Sequence, residues 1–549
     1  MPSPPFSAAA RDDVLDRLGQ RSYDVLVVGG GITGAGVALD AASRGLSVAL
    51  VERNDLASGT SSKSSKLIHG GLRYLEQGEL ALVRESVKER DLLLRLAPHL
   101  VQPQPFAVPD RGRREGVLLG AGLTVYGGFG KFRSVSQSKR LSPAQLVERV
   151  PGLVRHVDAG GWEYSDCRTD DARLTMTIAR SAARFGADIT TRTEVVELRT
   201  LGGRVTGATV RDRRSGRMVG VTARATVSAT GVWADHVRDL AGPNPLHLIP
   251  SKGCHLVFSA EDVRVRSAVI IPSGAHDRRR VFVIPWGRQV VVGTTDDLYE
   301  GSLDEPSVSR DDADYLCAAV NEAFGLELGP HDAVGAWAGL RPLPRAGAEP
   351  GGRSDVLSRR HALLTGPAGL FTITGGKLTT YRKMAAETVD AVVADLGGSA
   401  PSRTAAIPLG LQGKLQAAAA RAESVARVYG VEPAVAAGLV ERHGDDAVAL
   451  LEQAVERDET DPLVPDLPYV RAELRWAIEH ELALSVDDVL RRRLRVALRD
   501  RAAGGDVARQ VGALLAELLG WDDATAKASV QEYRREVSRE RGVVPVTAR

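Results

Sequence analysis

The sequence predicts an α/β + α protein, in which an α/β domain is assembled from discontinuous segments, a β-rich domain is interleaved with it, and a helical domain follows. Three observations predict it. An apolar run, a glycine cluster, a helical pattern and a second apolar run succeed one another over residues 23–52. Short β-branched runs separated by glycine and charge turns dominate the middle of the chain. After Pro401, Ala, Leu, Glu and Arg recur at helical spacing.

Residues 24–28 (DVLVV) have the pattern of a parallel strand buried on both faces, and they run into Gly29, Gly30 and Gly31. Ile32, Ala35, Ala38, Leu39 and Ala42 then recur at helical spacing up to Arg44, and Gly45 sits where a helix-ending glycine belongs. Residues 47–51 (SVALV) form the second strand. Glu52 follows, roughly 20 residues beyond the glycines, where a carboxylate can accept hydrogen bonds from ribose hydroxyls. Gly29, Gly31 and Gly34 fit GxGxxG: the first permits the turn, the second admits a pyrophosphate to the backbone, and the third allows close helix–strand packing. With all four elements in order, this is a Rossmann-like unit for the ADP half of a dinucleotide. Residues 57–76 (ASGTSSKSSKLIHGGLRYLE) favour FAD over NAD, being crowded with hydroxyls and glycines suited to pyrophosphate and flavin, yet too apolar for a free linker.

Bulk composition narrows the partners. In 549 residues, 71 basic and 69 acidic side chains nearly cancel, so the net charge of +2 gives no reason to expect nucleic acid. Cys167, Cys254 and Cys317 are widely spaced and cannot all pair, which fits a reducing, cytoplasmic setting without a disulfide framework or metal site. No stretch reaches the roughly 18 apolar residues of a membrane span, and the N-terminal residues lack a secretory pattern.

Further along, TEVVELRT, RVTGATVRD and ATVSAT over residues 190–231 read as a β-meander within the Rossmann-like domain. The expected division is an N-terminal extension (1–22), the nucleotide domain (23–77, 161–244 and 341–396), a substrate domain (78–160 and 245–340), a linker (397–410) and a helical cap (411–549). Arg491, Arg492 and Arg493 read as one solvated helix face. Residues 116–130 (GVLLGAGLTVYGGFG) are apolar and too short to span. They are flanked by Arg111, Arg113 and Arg114 and by Lys131, Arg133, Lys139 and Arg140, the pattern of a peripheral membrane anchor; a buried helix with solvated ends is the alternative.

GGGITGAGVALDAASRGLSVALVE, TSSKSSKLIHGGLRYLE, EYSDCRTDDARL, ATGVWAD and ITGGKLTTYRKMA resemble, in order and spacing, the successive motifs of the FAD-dependent, quinone-linked glycerol-3-phosphate dehydrogenases. AIEHELALSVDDVLRRRLRVALR is similar to their helical C-terminal domain. The resemblance implies a DAAO-like FAD domain of the GR2 type. It also implies oxidation of sn-glycerol 3-phosphate to dihydroxyacetone phosphate by hydride transfer to flavin N5, with electrons passed to a membrane quinone. Noncovalent FAD, a cytoplasmic protein peripheral to the inner face of the cell membrane, and a homodimer left open belong to the same expectation. An oxidase releasing hydrogen peroxide and a non-catalytic FAD sensor are the alternatives.

By the same resemblance the cofactor is held by Gly29, Gly31, Thr33, Gly34, Glu52, Thr60, Ser61, Ser62, Ser65, Leu67, His69, Gly70, Gly71, Val195, Thr230, Gly231, Trp233, Gly375, Gly376, Lys377, Leu378 and Thr379. Arg73, Tyr74, Arg359 and Thr380 fall on substrate positions, and His255, Arg341 and Lys377 on catalytic ones. A phosphate ester calls for fixed cations, and Arg341 in AGLRPLP is expected on a stiff loop. The alcohol proton needs a base, for which His255 is the first choice, with Arg341 and Lys377 stabilising the developing oxygen charge. Gly375 and Gly376 precede a predicted helix whose first amides can face the flavin.

Overall fold

A computed structural model describes residues 6–547 apart from residues 77, 111, 131–134, 136, 243–246, 274–278 and 345–360; Arg73 is described in its backbone only. The first sheet has the order Ala362–Thr365, Leu370–Thr374, Met218–Ser228, Ser22–Val28, Val48–Val51, Asp188–Thr190, all parallel but the first. Ser22–Val28 is central and buried on both faces. Val25 and Val27 pack with Val37, Leu50, Ile178 and Val389 on one side, while Leu26 and Val28 pack with Leu15, Leu18 and Val210 on the other. This two-sided burial is why the run reads as continuously apolar rather than alternating.

Helix Ile32–Ser43 lies against helices Asp171–Arg184 and Tyr381–Asp395. The meander expected over 190–231 forms as Thr193–Leu201 and Arg204–Asp212, antiparallel to Met218–Ser228. The expected N-terminal extension contains helix Arg11–Gln20, whose Leu15 and Leu18 enter the core and whose Arg11 donates to the Thr191 carbonyl at 3.0 Å.

The second sheet has the order Asp297–Leu298, Leu248–Ser259, Gln289–Gly293, Arg280–Trp286, Ala268–Pro272, Gln102–Pro109, Gly161–Arg168, Leu67–Ile68, with Gly335–Pro344 also pairing with Leu248–Ser259. Gly161–Arg168 and Leu67–Ile68, expected in the nucleotide segments, hydrogen-bond into this sheet, and Gly335–Pro344 runs through the expected boundary at residue 341 as one strand.

Beyond residue 410 the chain is helical. One cluster joins Leu415–Val428, Pro433–His443 and Ala447–Glu456, and a second joins Ala472–His480, Val507–Leu519 and Asp523–Arg541. Arg491, Arg492 and Arg493 do not form the expected solvated face: they occupy a six-residue π-helical turn, Asp488–Arg493, and are 8%, 5% and 1% exposed. A π turn spaces side chains differently from the α-helix assumed in reading the sequence, and each guanidinium meets a carboxylate. The last helix returns to the second sheet, where the Glu540 carbonyl accepts from Val308 N–H at 3.1 Å and Val544 is buried beside Val308.

Glu473, also within the helical region, accepts from Arg442 Nε at 2.6 Å and lies 2.9 Å from His443 Nε2. Burial would raise its pKa, but Arg442 and His443 outweigh burial and hold it down to about 2. A carboxyl depressed on folding adds stability that is present above its unfolded pKa and lost as pH falls through about 2, here about 3 kcal/mol. Glu473→Gln is expected to lower the melting temperature at pH 7 by several degrees. The gap to the parent protein should narrow steadily between pH 4.5 and 2 in thermal scans; a gap independent of pH would contradict this pairing.

Candidate active site

The carboxyl ends of four parallel strands open onto one cleft, a cavity of about 390 Å³ lined by Val28, Gly29, Gly31, Ile32 and Thr33, by residues 51–54, by residues 229–231 and by residues 373–379. A crevice outside the carboxyl ends of an open α/β sheet is the general position for a nucleotide. Gly29 has φ +106°, and a Cβ there would stand 2.7 Å from the Ala229 carbonyl oxygen. A Cβ on Gly34 would come within 1.9 Å of the Gly29 carbonyl oxygen, so the third glycine sets the contact of helix with strand. Ile32 N–H, at the start of helix Ile32–Ser43, donates to Ser61 Oγ at 2.9 Å, which brings the serine-rich segment onto the helix N-terminus.

Glu52 accepts from Gly30 N–H at 2.6 Å and Asn54 N–H at 2.7 Å; burial nevertheless pushes its pKa above the ordinary carboxylate value. Thr60, Ser61, Ser65, Leu67, His69, Val195, Thr230, Gly231 and Trp233 line the same cleft. At its far end, Gly375 and Gly376 both have φ +75°, and a Cβ on Gly376 would meet Met384 Sδ at 2.4 Å. The turn leads through Leu378–Thr380 into helix Tyr381–Asp395, and Thr379 Oγ1 both accepts from His69 N–H at 3.0 Å and donates to the His69 carbonyl at 3.2 Å.

Five expected contacts do not line the cleft. Gly34 serves packing. Ser62 is buried with its carbonyl facing Lys66 Nζ at 3.3 Å. Gly70 N–H donates to the Tyr126 hydroxyl at 2.8 Å, and Gly71 packs under the Tyr74 ring. Thr380 is buried and donates to the Lys377 carbonyl at 3.4 Å. Arg359 lies outside the described residues, as does the side chain of Arg73 in helix Leu72–Glu76.

His255, Arg341, Lys377 and Tyr74 do converge on the cleft. Arg341 is in strand Gly335–Pro344 rather than on the expected loop, because Ser251 pairs opposite it and Pro342 opposite Pro250. Its Nη1 donates to Asp296 Oδ1 at 3.1 Å and Ser251 Oγ at 3.2 Å, and its Nη2 to the Thr295 carbonyl at 3.2 Å and Thr294 Oγ1 at 3.3 Å. Asp296 thus helps orient the arginine. Lys377 Nζ stands 3.7 Å from the Tyr74 ring centroid, a cation–π contact.

The neighbours of both groups are glycines for a reason. A Cβ on Gly253 would strike Arg341 Nη2 at 2.4 Å, and one on Gly293 would strike His255 Cδ2 at 2.2 Å. His255 shares a hydrogen bond with Ser65 Oγ through Nε2 at 2.8 Å and stacks on Trp337 at 4.7 Å, while its Nδ1 is buried without a hydrogen-bond partner. Burial first, then the cations Lys66 and Arg341, hold its pKa well below the ordinary histidine value, so the ring is neutral. Trp337 and Lys66 are site residues the sequence reading missed. Lys66 stands in the serine-rich segment already singled out, but nothing local ties it to a tryptophan some 270 residues on.

A Rossmann-like cradle continuing into a pocket with a neutral histidine and fixed cations defines a flavin-dependent oxidoreductase, and residues 24–382 match the family of FAD-dependent oxidoreductases. Residues 402–526 match the C-terminal domain of alpha-glycerophosphate oxidase. The chain is 40% identical to glycerol-3-phosphate dehydrogenase 2 of Mycobacterium tuberculosis over 98% of its own length and 92% of that protein. It is equally similar to the glycerol-3-phosphate dehydrogenase of Mycobacterium leprae, over 96% and 90%. The crystal structure of the glycerol-3-phosphate dehydrogenase of Bacillus halodurans with FAD aligns over 99% of both chains at 30% identity and a TM-score of 0.81. The chain belongs to the FAD-dependent glycerol-3-phosphate dehydrogenase family.

Gly34→Ala is expected to weaken FAD binding at least tenfold, about 1.4 kcal/mol, and to destabilise the fold by about 3 kcal/mol. Flavin absorbance of the purified protein and titration of the apoprotein with FAD measure this; retention of full flavin content would contradict the packing role.

Proposed function

We propose that the protein oxidises sn-glycerol 3-phosphate to dihydroxyacetone phosphate and passes the electrons to a membrane quinone, working as a peripheral protein on the inner face of the cell membrane. The observation that carries the oxidation is that Arg341, fixed by four acceptors, Lys377 and neutral His255 all line one cleft. The names of the mycobacterial and Bacillus relatives support the same substrate.

FAD, noncovalently bound by Gly29, Gly31, Thr33, Glu52, the serine-rich segment and residues 373–379, supplies the two-electron acceptor for hydride from the substrate carbon. His255 takes the hydroxyl proton at Nε2, exchanging its hydrogen bond with Ser65 for one with the substrate. Arg341 and Lys377 bind the phosphate and the oxygen on which charge grows. Tyr74 holds Lys377 in place through its ring, and Arg73, Arg359 and Thr380 carry no described role in this reading.

Among the described residues no helix is long and apolar enough to cross a membrane. Helix Arg113–Gly128 nevertheless exposes Val117 and Leu118 to about three-quarters of their surface. An apolar cavity of about 760 Å³ lies beneath, lined by Leu72, Leu75, Leu118, Leu119, Val125 and Ile270. Helix Leu72–Glu76 stands between this cavity and the flavin cleft, with Leu72 and Leu75 on the first and Tyr74 on the second. That arrangement suits a quinone entering from lipid. Of the basic flank, Lys139 is engaged by Glu163 and Arg140 by Asp110, while Arg111, Lys131 and Arg133 lie outside the described residues.

Adding glycerol 3-phosphate anaerobically to the flavoprotein is expected to bleach the flavin, with reoxidation by a quinone analogue much faster than by air. An unbleached flavin refutes the oxidation, and rapid reoxidation by air with peroxide release identifies an oxidase instead. His255→Gln should lower kcat by about 10²–10⁴. The acid limb of kcat/KM in the parent should lie below pH 6.5, because a depressed histidine remains neutral until then; a limb above 6.5 contradicts the assignment of His255. In flotation with anionic lipid vesicles, the double change Val117→Glu and Leu118→Glu should weaken binding roughly tenfold or more, and unchanged binding would place the attachment elsewhere.

A further inference from the structure

Four arginines of the helical domain, Arg491, Arg492, Arg493 and Arg495, are buried, and three of their carboxylate partners, Asp55, Asp170 and Asp171, belong to the nucleotide-binding part. Arg492 and Arg493 clasp Asp55. Arg495 reaches further: its Nε donates to Asp170 at 3.1 Å, and its Nη2 pairs with Asp171 and donates to the Ser62 carbonyl at 3.3 Å.

Asp171 has no exposed surface. Besides Arg495 it accepts from Ser64 N–H at 3.0 Å, Ser64 Oγ at 2.7 Å and Lys66 Nζ at 3.1 Å. One carboxylate therefore fixes both sides of Ser65, whose hydroxyl meets His255 Nε2 at 2.8 Å. Lys66 Nζ stands 4.6 Å from the centroid of Trp337, the ring on which His255 is stacked. Lys66 and Arg495 both hold left-handed backbone conformations, each with φ +58°. Such conformations persist in residues other than glycine only where surrounding contacts impose them, and Asp171 is a contact that both residues share.

We propose that Arg495 is a positioning residue for the oxidation: through Asp171 it sets the Ser62–Lys66 segment, and with it the place and charge surroundings of His255. The inference rests on the reading of His255 as the base. Three charged groups face the ring: Lys66 from that segment, Arg341 from strand Gly335–Pro344 and Asp171 from helix Asp171–Arg184; Ser65, Trp337 and Gly293 complete its surroundings without charge. With Arg495 present, Asp171 is shared between two cations and leaves net positive charge beside the ring, which disfavours imidazolium. Burial and the Arg495 charge also bring Lys66 down to about 8, against the pull of Asp171. Without Arg495, Asp171 neutralises Lys66 alone, and His255 binds a proton more readily.

The test uses the full-length flavoprotein and follows the His255 ring by NMR of histidine-labelled protein, assigned with His255→Gln, alongside the pH profile of kcat/KM. Arg495→Met is expected to raise the His255 midpoint and the acid limb together by about one pH unit or less. It should also lower kcat about tenfold, within the 10²–10⁴ that a general base supplies, with KM altered less. Arg495→Lys should restore much of both. Lys66→Met removes a facing cation directly, should raise the midpoint likewise, and carries the test if Arg495→Met does not fold. An unchanged His255 midpoint in variants that only melt earlier overturns the proposal. A midpoint that moves while the kinetic limb stays still overturns instead the reading of His255 as the base.

Discussion

Two carboxylates shut away from water, Asp55 and Asp171, govern how the helical domain meets the rest of the molecule. An ionised carboxylate in such a place is tolerated only with partners of opposite charge and full hydrogen bonding. Asp55 finds Arg492 and Arg493, and Asp171 finds Lys66, Ser64 and Arg495. Removing one side of such a pairing leaves a buried charge uncompensated, so the two domains are bound by electrostatic necessity more than by apolar area. Replacing all members with well-packed apolar groups could be neutral for stability. The ionic arrangement earns its place by fixing geometry near His255.

The site is defined as much by missing atoms as by present ones. Antiparallel pairing sets His255 opposite Gly293 and Ser251 opposite Arg341, and the absent side chains at Gly253 and Gly293 leave room for the guanidinium and imidazole. On the nucleotide side Gly29, Gly34 and Gly376 do the same for the backbone. The outcome is a cleft that has Arg341 and Lys377 among its lining and the start of helix Ile32–Ser43 at its nucleotide end. Low dielectric strengthens every charge interaction placed there.

Much of this was legible in the sequence because it is local. The strand–glycine–helix–strand order over residues 22–51 and the glycine turn before Tyr381 depend on neighbours a few residues away, and they form as read. The site roles of His255, Arg341 and Lys377 followed from family likeness rather than from periodicity. What escaped was long-range. Three successive arginines on a helical pattern look solvated, and nothing near residues 491–495 signals two aspartates more than 300 residues upstream. The strand Gly161–Arg168 was placed in the wrong sheet because a β run does not state its partner. Arg341, between glycine and proline, resembled a loop; edge-like prolines facing each other across Leu248–Ser259 allow a strand there instead.

The pairing of Asp55 and Asp171 with residues near the end of the chain also orders events during synthesis. Domains ordinarily fold as they leave the ribosome, N-terminal part first. Here Asp55 and Asp171 are translated early, yet both wait for Arg492, Arg493 and Arg495, and Val308 waits for its contacts with Glu540 and Val544. Until the helical domain is made, both acids lack the arginines that accompany their burial.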